Sequence, residues 1–381
     1  VQDDGRNHHD VLSIAKRLVE QLKKLSNDNS MQKREVHIRM SSRWSTLYRM
    51  QNLPLVIPTH ANLTAARPED GQAMRDYEPF SESVVYIDSW SDGVEVMGSL
   101  QRPKKVCIRG SDGGEYNFLC KPKDDLRKDA RVIEVLTAAN RMLHKSSNCR
   151  RRKLSVKCYA VVPLDQECGL IEWVPNMEQI RTIVKTYWEA YKHPFNVGQI
   201  RNRHAAVMAH QTDRKGQLSS LIQQLMVELP PVLHYWFSDT FKSPSAWFEA
   251  RLGFTRSCAV MSMIGYSVGL GDRHLENILI DTTTGSLMHV DFACLFDHGL
   301  NLETPEKVPF RLTPNLIHTF GVCGADGVFR RVCELTLREL RNNKLTLLTI
   351  LSTLRHDPLV EWTKRNVQED QAGTRESDEA A

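Results

Sequence analysis

The sequence predicts an α+β fold of two lobes, an antiparallel β-sheet lobe followed by a mainly helical lobe, with further helices ahead of both. Three observations predict it. Residues 84–120 hold four short β-prone runs separated by tight-turn sequences. Beyond Pro175, apolar residues recur at helical spacing through most of the chain. The length of 381 residues suits two or three domains.

Composition bounds the function. Hydrophobic residues at 41% and charged residues at 25% are ordinary for a globular protein. A net charge of +4 is too small to argue for nucleic-acid binding. The basic excess is local: residues 101–157 carry 16 Lys/Arg against 6 Asp/Glu, including the run Arg150 to Lys153, which reads as an ATP-binding lobe or a solvated loop. Nine cysteines with no C-x-x-C pair argue against a disulfide framework or zinc site and suit a reducing compartment. The longest uncharged stretch, Ser257 to Gly271, is too short for a membrane helix. The first residues, VQDDGRNHHD, do not resemble a signal peptide. The expectation is a soluble cytosolic or nuclear protein.

The elements follow in order. Val11 to Leu25 reads as an amphipathic helix, with Val11, Ala15, Leu18, Leu22 and Leu25 on one face. A second helix is expected over Lys33 to Met50, and a loop or linker over His60 to Glu82. Strands are expected at Val84–Ile87, Val94–Met97, Lys105–Ile108 and Tyr116–Cys120. Lys121 ends the last of these, and a helix carrying Val132, Val135, Leu136, Ala139 and Leu143 follows. A strand lysine followed by acids on a helix suits a phosphate grip, with Lys123 a competitor and Asp124, Asp125 and Asp129 the candidate acids. Tyr159–Leu164 and Gly169–Val174 read as two more strands, and Trp173 either walls a nucleotide base or fills a core. Helices are expected over Met177–Lys192, Gly216–Leu229 and Ser245–Val268, the last with Ser243 as cap and Pro244 in its first turn. Val328–Arg341 and Leu345–Arg355 complete the helices, and the tail from Asn366 is polar and acidic.

The chemistry concentrates in Gly269 to Ala293, GLGDRHLENILIDTTTGSLMHVDFA. Two short β-prone runs flank a turn at Thr282 to Ser286. Pairing them about position 284 sets Asn277 opposite Asp291, two oxygen ligands of the kind Mg²⁺ favours alongside phosphates and water. Asp272 precedes Asn277 with the Asp-to-Asn spacing of the protein-kinase catalytic loop, and a metal-binding Asp follows in both. Here His274 comes after the Asp, and D-F-A replaces D-F-G. These residues predict the metal-binding and proton-handling centre of a phosphotransferase. The segment Asp291 to Asn315 then holds only two cations, Lys307 and Arg311. A loop gripping a phosphoinositide headgroup needs a cluster of Lys and Arg. The scarcity favours a hydroxyl on a protein substrate over a lipid kinase, and the complete set of polar residues argues against an inactive pseudokinase scaffold.

GLGDRHLENIL, HVDF, CKPKDDLRKD, GLIEWV, VPFRLTPN and HDPLVEW together resemble the phosphatidylinositol-3-kinase-like protein kinases, and CKPKDDLRKD, LQRPKK and FRRVCELTLR most resemble their ATR-type branch. The resemblance covers about Ser83 to Trp362. It implies a helical end of a FAT-type region and linker over 1–70, a kinase N-lobe over 71–174, a C-lobe over 175–365 and a polar tail over 366–381. It implies Asp272 as catalytic base, His274 at the transferring phosphoryl group, Asn277 and Asp291 as Mg²⁺ ligands, and Lys121 on the ATP phosphates with Asp129 as its partner. Gly98, Ser99, Leu100, Gln101 and Arg102 would cover the phosphates. Tyr159, Glu172, Trp173, Val174, Leu279 and Val290 would line the adenine pocket. ATP with Mg²⁺, or Mn²⁺ in its place, is the implied cofactor, and Ser or Thr followed by Gln the implied target. Nuclear DNA-damage signalling, an obligate interacting subunit, a homodimer of heterodimers and recruitment to protein-coated single-stranded DNA follow from the same resemblance. The family ends in an aromatic-rich FATC segment unlike TRESDEAA, so the sequence is expected to be a piece of a longer chain.

Overall fold

The computed structural model of the chain describes residues 5–28, 36–65, 80, 84–98, 101–193, 196–209, 214–302 and 305–355. These fall into two compact units, one within Val1–Val135, Cys158–Pro175 and Thr349–Ala381, the other within Leu136–Lys157 and Asn176–Leu348. Among the described residues no helix is long and apolar enough to cross a membrane. The expectations for Ser99, Leu100, most of the linker, the HDPLVEW motif and the tail fall outside the described residues.

The first unit is built on a sheet. Helix α1 (Gly5–Asn27) precedes strand β1 (His37–Arg39), the short helices α2 (Met40–Arg43), α3 (Ser45–Tyr48) and α4 (His60–Leu63), and strands β2 (Ile87–Trp90), β3 (Gly93–Val96), β4 (Lys104–Gly110) and β5 (Glu115–Pro122). Helix α5 (Arg127–Lys145) starts here, and β6 (Val161–Pro163) and β7 (Cys168–Glu172) close the set. The strand order is β1-β3-β4-β5-β7-β6, with β2 also on β4, and every pairing is antiparallel. Alternation places Val106, Ile108, Phe118 and Cys120 in a core with Leu18, Leu22 and Leu25 of α1. The same alternation buries Lys104 completely. Its ammonium donates to the carbonyls of Ser26 (2.6 Å) and Asp28 (3.0 Å), acceptors that the end of α1 leaves without helical partners. Burial draws the Lys104 pKa down, and the nearby Asp28 charge opposes that.

The second unit is mainly helical. It holds α6 (Ser147–Arg151), β8 (Met177–Gln179), α7 (Ile180–Ala190), α8 (Val197–Ala209), α9 (Arg214–Glu228), α10 (Leu233–Thr240), α11 (Pro244–Ser267), the hairpin β9 (Ile278–Asp281) and β10 (Leu287–His289), then α12 (Pro314–Phe320), α13 (Val328–Asn342) and the start of α14 (Lys344–Arg355). Helix α11 begins as its sequence predicts: the Ser243 hydroxyl accepts from the Ala246 N–H at 3.1 Å, with Pro244 at the first position. Its middle is buried on all sides, through Phe254, Cys258, Ala259, Val260 and Met261. An aromatic row of Phe237, Phe254, Phe320 and Phe329 packs α10, α11, α12 and α13 together, with centroids 5.1, 5.9 and 4.8 Å apart. The hairpin is fastened to α11 at two points. The Leu287 N–H donates to the Ser257 hydroxyl at 2.8 Å. Gly285, at φ +73°, lies so close to α11 that a Cβ would stand 2.6 Å from the Ala250 carbonyl oxygen.

Four local expectations change. The strand expected at Val84–Ile87 forms instead at Ile87–Trp90 as β2, paired with β4. The helix expected over Lys33 to Met50 is, from residue 36 onward, β1 and two single-turn helices. The edge of β3 offers backbone partners there, and Val96 donates to the Val36 carbonyl at 2.7 Å. The predicted helix from Met177 starts three residues late, at Ile180, since Met177–Gln179 pairs with β9 as β8. The linker beginning at His60 opens with α4, whose cap is Thr59.

Candidate active site

Residues Gly269 to Ala293 leave the end of α11 and fold back on the segment that follows them. Three backbone bonds hold the fold: Gly271 N–H to Cys294 (2.9 Å), Phe296 N–H to Val268 (3.0 Å) and Asp297 N–H to Gly269 (3.1 Å). Asp272 and Asp291 both take the left-handed conformation, at φ 56° and 60°. Such positive φ is uncommon outside glycine, although Asp tolerates it better than most residues. The strain sits where the chain must turn sharply to present a carboxylate.

The hairpin register differs by one residue from the expected one. Leu287 faces Ile280, Met288 faces Leu279 and His289 faces Ile278. The next pair is therefore Val290 with Asn277, and the Val290 N–H donates to the Asn277 carbonyl at 3.1 Å. Asp291 lies one position beyond that pair, and a one-residue slip on a regular strand would turn its side chain to the other face. The left-handed backbone at Asp291 ends the strand alternation at that point.

A residue that sequence reasoning passed over organises the site. Arg273 is 6% exposed. Its guanidinium donates to the carbonyls of Gly271 (2.8 Å), Val290 (2.8 Å) and Asp291, joining the loop of Asp272 to the loop of Asp291. It also lies over the buried Phe292 ring, 5.8 Å from the centroid. Arg311 extends the clamp by donating to the Arg273 carbonyl at 2.5 Å. The signal was present in D-R-H: a cation between two candidate active-site residues, buried while His274 is exposed. His289 sits nearby, its pKa pushed down to about 3 by burial and then by the Arg273 charge, so the ring is neutral.

Asn277 is 7% exposed. Its amide nitrogen donates to the Asp272 carbonyl at 3.0 Å, which turns the amide oxygen away, and that oxygen has no partner among the described residues. Asp291 adds a carboxylate whose one bond among the described residues is a long one, 3.4 Å, from the Ala293 N–H. A donor set of one amide oxygen and one carboxylate fits a hard cation completed by phosphate and water. His274 is exposed, and its Nδ1 accepts from the Glu276 N–H at 3.2 Å. Leu279 and Val290 are both partly accessible at the base of the hairpin.

The nucleotide candidates of the first unit stand as follows. Lys121 lies within β5 and pairs with Asp124 at 2.5 Å. Asp125 is taken by Arg127 in a two-pronged pair. Asp129, the acid expected to partner Lys121, is buried in the first turn of α5. Lys123 is exposed and beyond the strand, at φ 54°, so Lys121 is the lysine the sheet orients. The turn at Gly98, Gln101 and Arg102 is closed by a Met97 N–H to Pro103 carbonyl bond of 2.9 Å. Tyr159 is buried at 2% exposure. The Glu172 carboxylate accepts from the backbone N–H of His60 (2.8 Å) and of Ala160 (2.7 Å), so its side chain serves as a backbone cap. Trp173 is 40% exposed, which removes the core reading, and the Lys105 ammonium sits 4.8 Å from its ring centroid. Val174 follows it, half-buried.

Comparison with known proteins gives the family of the chain. The family model described as phosphatidylinositol 3- and 4-kinase matches residues 115–364. The chain is 46% identical over 340 residues to the serine/threonine-protein kinase ATR of Arabidopsis thaliana, covering 87% of this chain and 12% of that protein. It is 42% identical over 311 residues to the protein kinase rad3 of Schizosaccharomyces pombe, covering 82% of this chain and 13% of the relative. The solved FAT and kinase domain of CtTel1 superposes with a TM-score of 0.79 at 30% identity, over 92% of this chain and 24% of that one. The chain thus spans about an eighth of the length of its curated relatives. It belongs to the phosphatidylinositol 3- and 4-kinase family, with an ATR-type kinase region.

Proposed function

We propose that the chain is the catalytic region of an ATP- and Mg²⁺-dependent serine/threonine protein kinase of DNA-damage and replication checkpoint signalling, acting on Ser or Thr followed by Gln. Phosphoryl transfer asks a protein for alignment and for positive charge where negative charge accumulates. In this reading Asp272 orients the incoming hydroxyl and accepts its proton, with its carbonyl tied to Asn277. Lys121 binds the ATP phosphates, and His274 faces the transferring group. Asn277 and Asp291 hold Mg²⁺, for which Mn²⁺ could substitute, and the bound metal would neutralise the phosphate oxygens. Trp173 and Val174 border the adenine.

One observation carries the choice of a protein substrate. Of the two cations in residues 291–315, Arg311 is committed to the Arg273 carbonyl. That leaves the exposed Lys307 as the one remaining lysine or arginine of the segment for a headgroup. A phosphoinositide headgroup would need several. The relatives' names support the serine/threonine reading. A nuclear location, an obligate ATR-interacting subunit, recruitment to protein-coated single-stranded DNA and a homodimer of heterodimers belong to the same proposal. The dimer is favoured by a CtTel1 neighbour described as a complete dimer with C2 symmetry. The test is a peptide-array assay on the full-length complex. Transfer to Ser-Gln peptides above Ser-Pro peptides is expected, and phosphate transfer to phosphoinositide vesicles with none to Ser-Gln would overturn the proposal.

A further inference from the structure

The segment that follows the hairpin reaches back to the catalytic loop through one carboxylate. Glu306 accepts the backbone N–H of Asp272 at 2.9 Å. Its own N–H donates to the Gly299 carbonyl at 2.9 Å, which ties Glu306 back to Gly299. The carboxylate lies against bare backbone on both sides. A Cβ on Gly271 would stand 2.8 Å from its oxygen, and a Cβ on Gly299 would stand 2.6 Å from the same atom. A side chain at either glycine would push the carboxylate out of this slot. Five residues on, Arg311 donates to the carbonyl of Arg273, the residue after Asp272. The segment therefore grips the backbone on each side of Asp272, at its N–H on one side and at the Arg273 carbonyl on the other.

Asp272 needs such a grip. It is a non-glycine residue at φ 56°, a conformation that costs free energy of its own and persists where neighbours over-determine it. Its N–H would otherwise relax with the loop. We propose that Glu306 is a positioning residue: by holding the Asp272 N–H it fixes the left-handed turn that aims the Asp272 carboxylate, so that catalysis depends on this segment being in place. The inference rests on the function proposed above for Asp272, but its structural half can be measured without turnover.

The experiment compares Glu306→Ala with Glu306→Gln in the full-length complex. The Gln side chain keeps an oxygen to accept the Asp272 N–H, and the Ala side chain keeps none. Peptide kcat is expected to fall on the order of 10- to 100-fold in Glu306→Ala, with the KM for Mg-ATP within about twofold of wild type, and to be largely retained in Glu306→Gln. Hydrogen exchange at the Asp272 amide is expected to quicken about tenfold in Glu306→Ala and to stay near wild type in Glu306→Gln. Unchanged kcat and exchange in Glu306→Ala would overturn the proposal, as would equal losses in both variants tracking a common fall in Tm. If the wild-type complex transfers no phosphate to peptide, the kinase reading fails alone, and the exchange rates still decide the role of Glu306.

Discussion

Asp281 ends β9, and its carboxylate closes the turn that carries the hairpin. One oxygen accepts from the Thr283 N–H (2.8 Å), the Thr283 hydroxyl (2.6 Å) and the Thr284 N–H (3.2 Å), and the other pairs with the Lys157 ammonium. Burial by itself would raise its pKa, but the bonds from Lys157 and Thr283 hold the carboxyl at about 2, against an ordinary 3.8. A carboxyl held that far down corresponds to about 2 kcal/mol of stability. The folded-state pKa lies below the unfolded one, so this stability is present in full above about pH 4 and is lost as pH falls from there towards 2. Asp281→Asn should therefore lower stability at pH 7 by about 2 kcal/mol, which for a unit of this size moves Tm by roughly 4–8 °C. The assay is urea unfolding of both proteins from pH 7 down to the acid limit of folding, followed by fluorescence. The gap between them should narrow steadily once pH drops below about 4. A gap that stays constant through that range would refute the assignment of the stability to the ionised carboxylate.

Three further outcomes are expected. Lys104→Met leaves the carbonyls of Ser26 and Asp28 without their donor and should destabilise the chain by about 2 kcal/mol in urea unfolding, with an unchanged midpoint counting against the cap. Asp291→Asn removes the ligand charge while keeping a side chain that tolerates φ 60°, so Mg-ATP-dependent transfer should fall at least about 100-fold with Tm nearly unchanged; retained turnover would sink the metal assignment. Trp173→Ala removes an exposed ring and its Lys105 contact and should raise the KM for ATP about tenfold with little loss of Tm, whereas a large fall in Tm would mark the ring as structural after all.

How much was legible in the sequence follows from which signals are local. Capping is local, so Ser243-Pro244 located the start of α11 to within one residue. Strand alternation with tight turns is nearly local, and β3, β4, β5 and β7 fall where their patterns put them. Pairing partners are not local. Residues 37–39 and 177–179 lack a strand signature of their own and become strands because β3 and β9 offer open edges. Buried charge is the least legible of all. Lys104 and Arg273 read as two more cations in a basic protein, and only the tertiary structure shows each satisfied by carbonyl oxygens from distant segments.

The hairpin shows why a motif read from spacing can miss the geometry that presents it. Symmetry about the turn set Asn277 across from Asp291, which would bring two ligands together by strand pairing alone. The observed register instead sets Val290 across from Asn277. The candidate ligand positions are then defined by other means: a left-handed residue at Asp291, the Arg273 guanidinium on the Val290 and Asp291 carbonyls, and the Asn277 amide on the Asp272 carbonyl. Strand pairing fixes a backbone to within its pleat, whereas a buried guanidinium with three carbonyl partners fixes two loops against each other directly. A lysine in place of Arg273 keeps the charge but lacks the rigid fork of donors that joins the two loops. The two loops are thus organised by Arg273, between Asp272 and His274, as much as by the motif positions themselves.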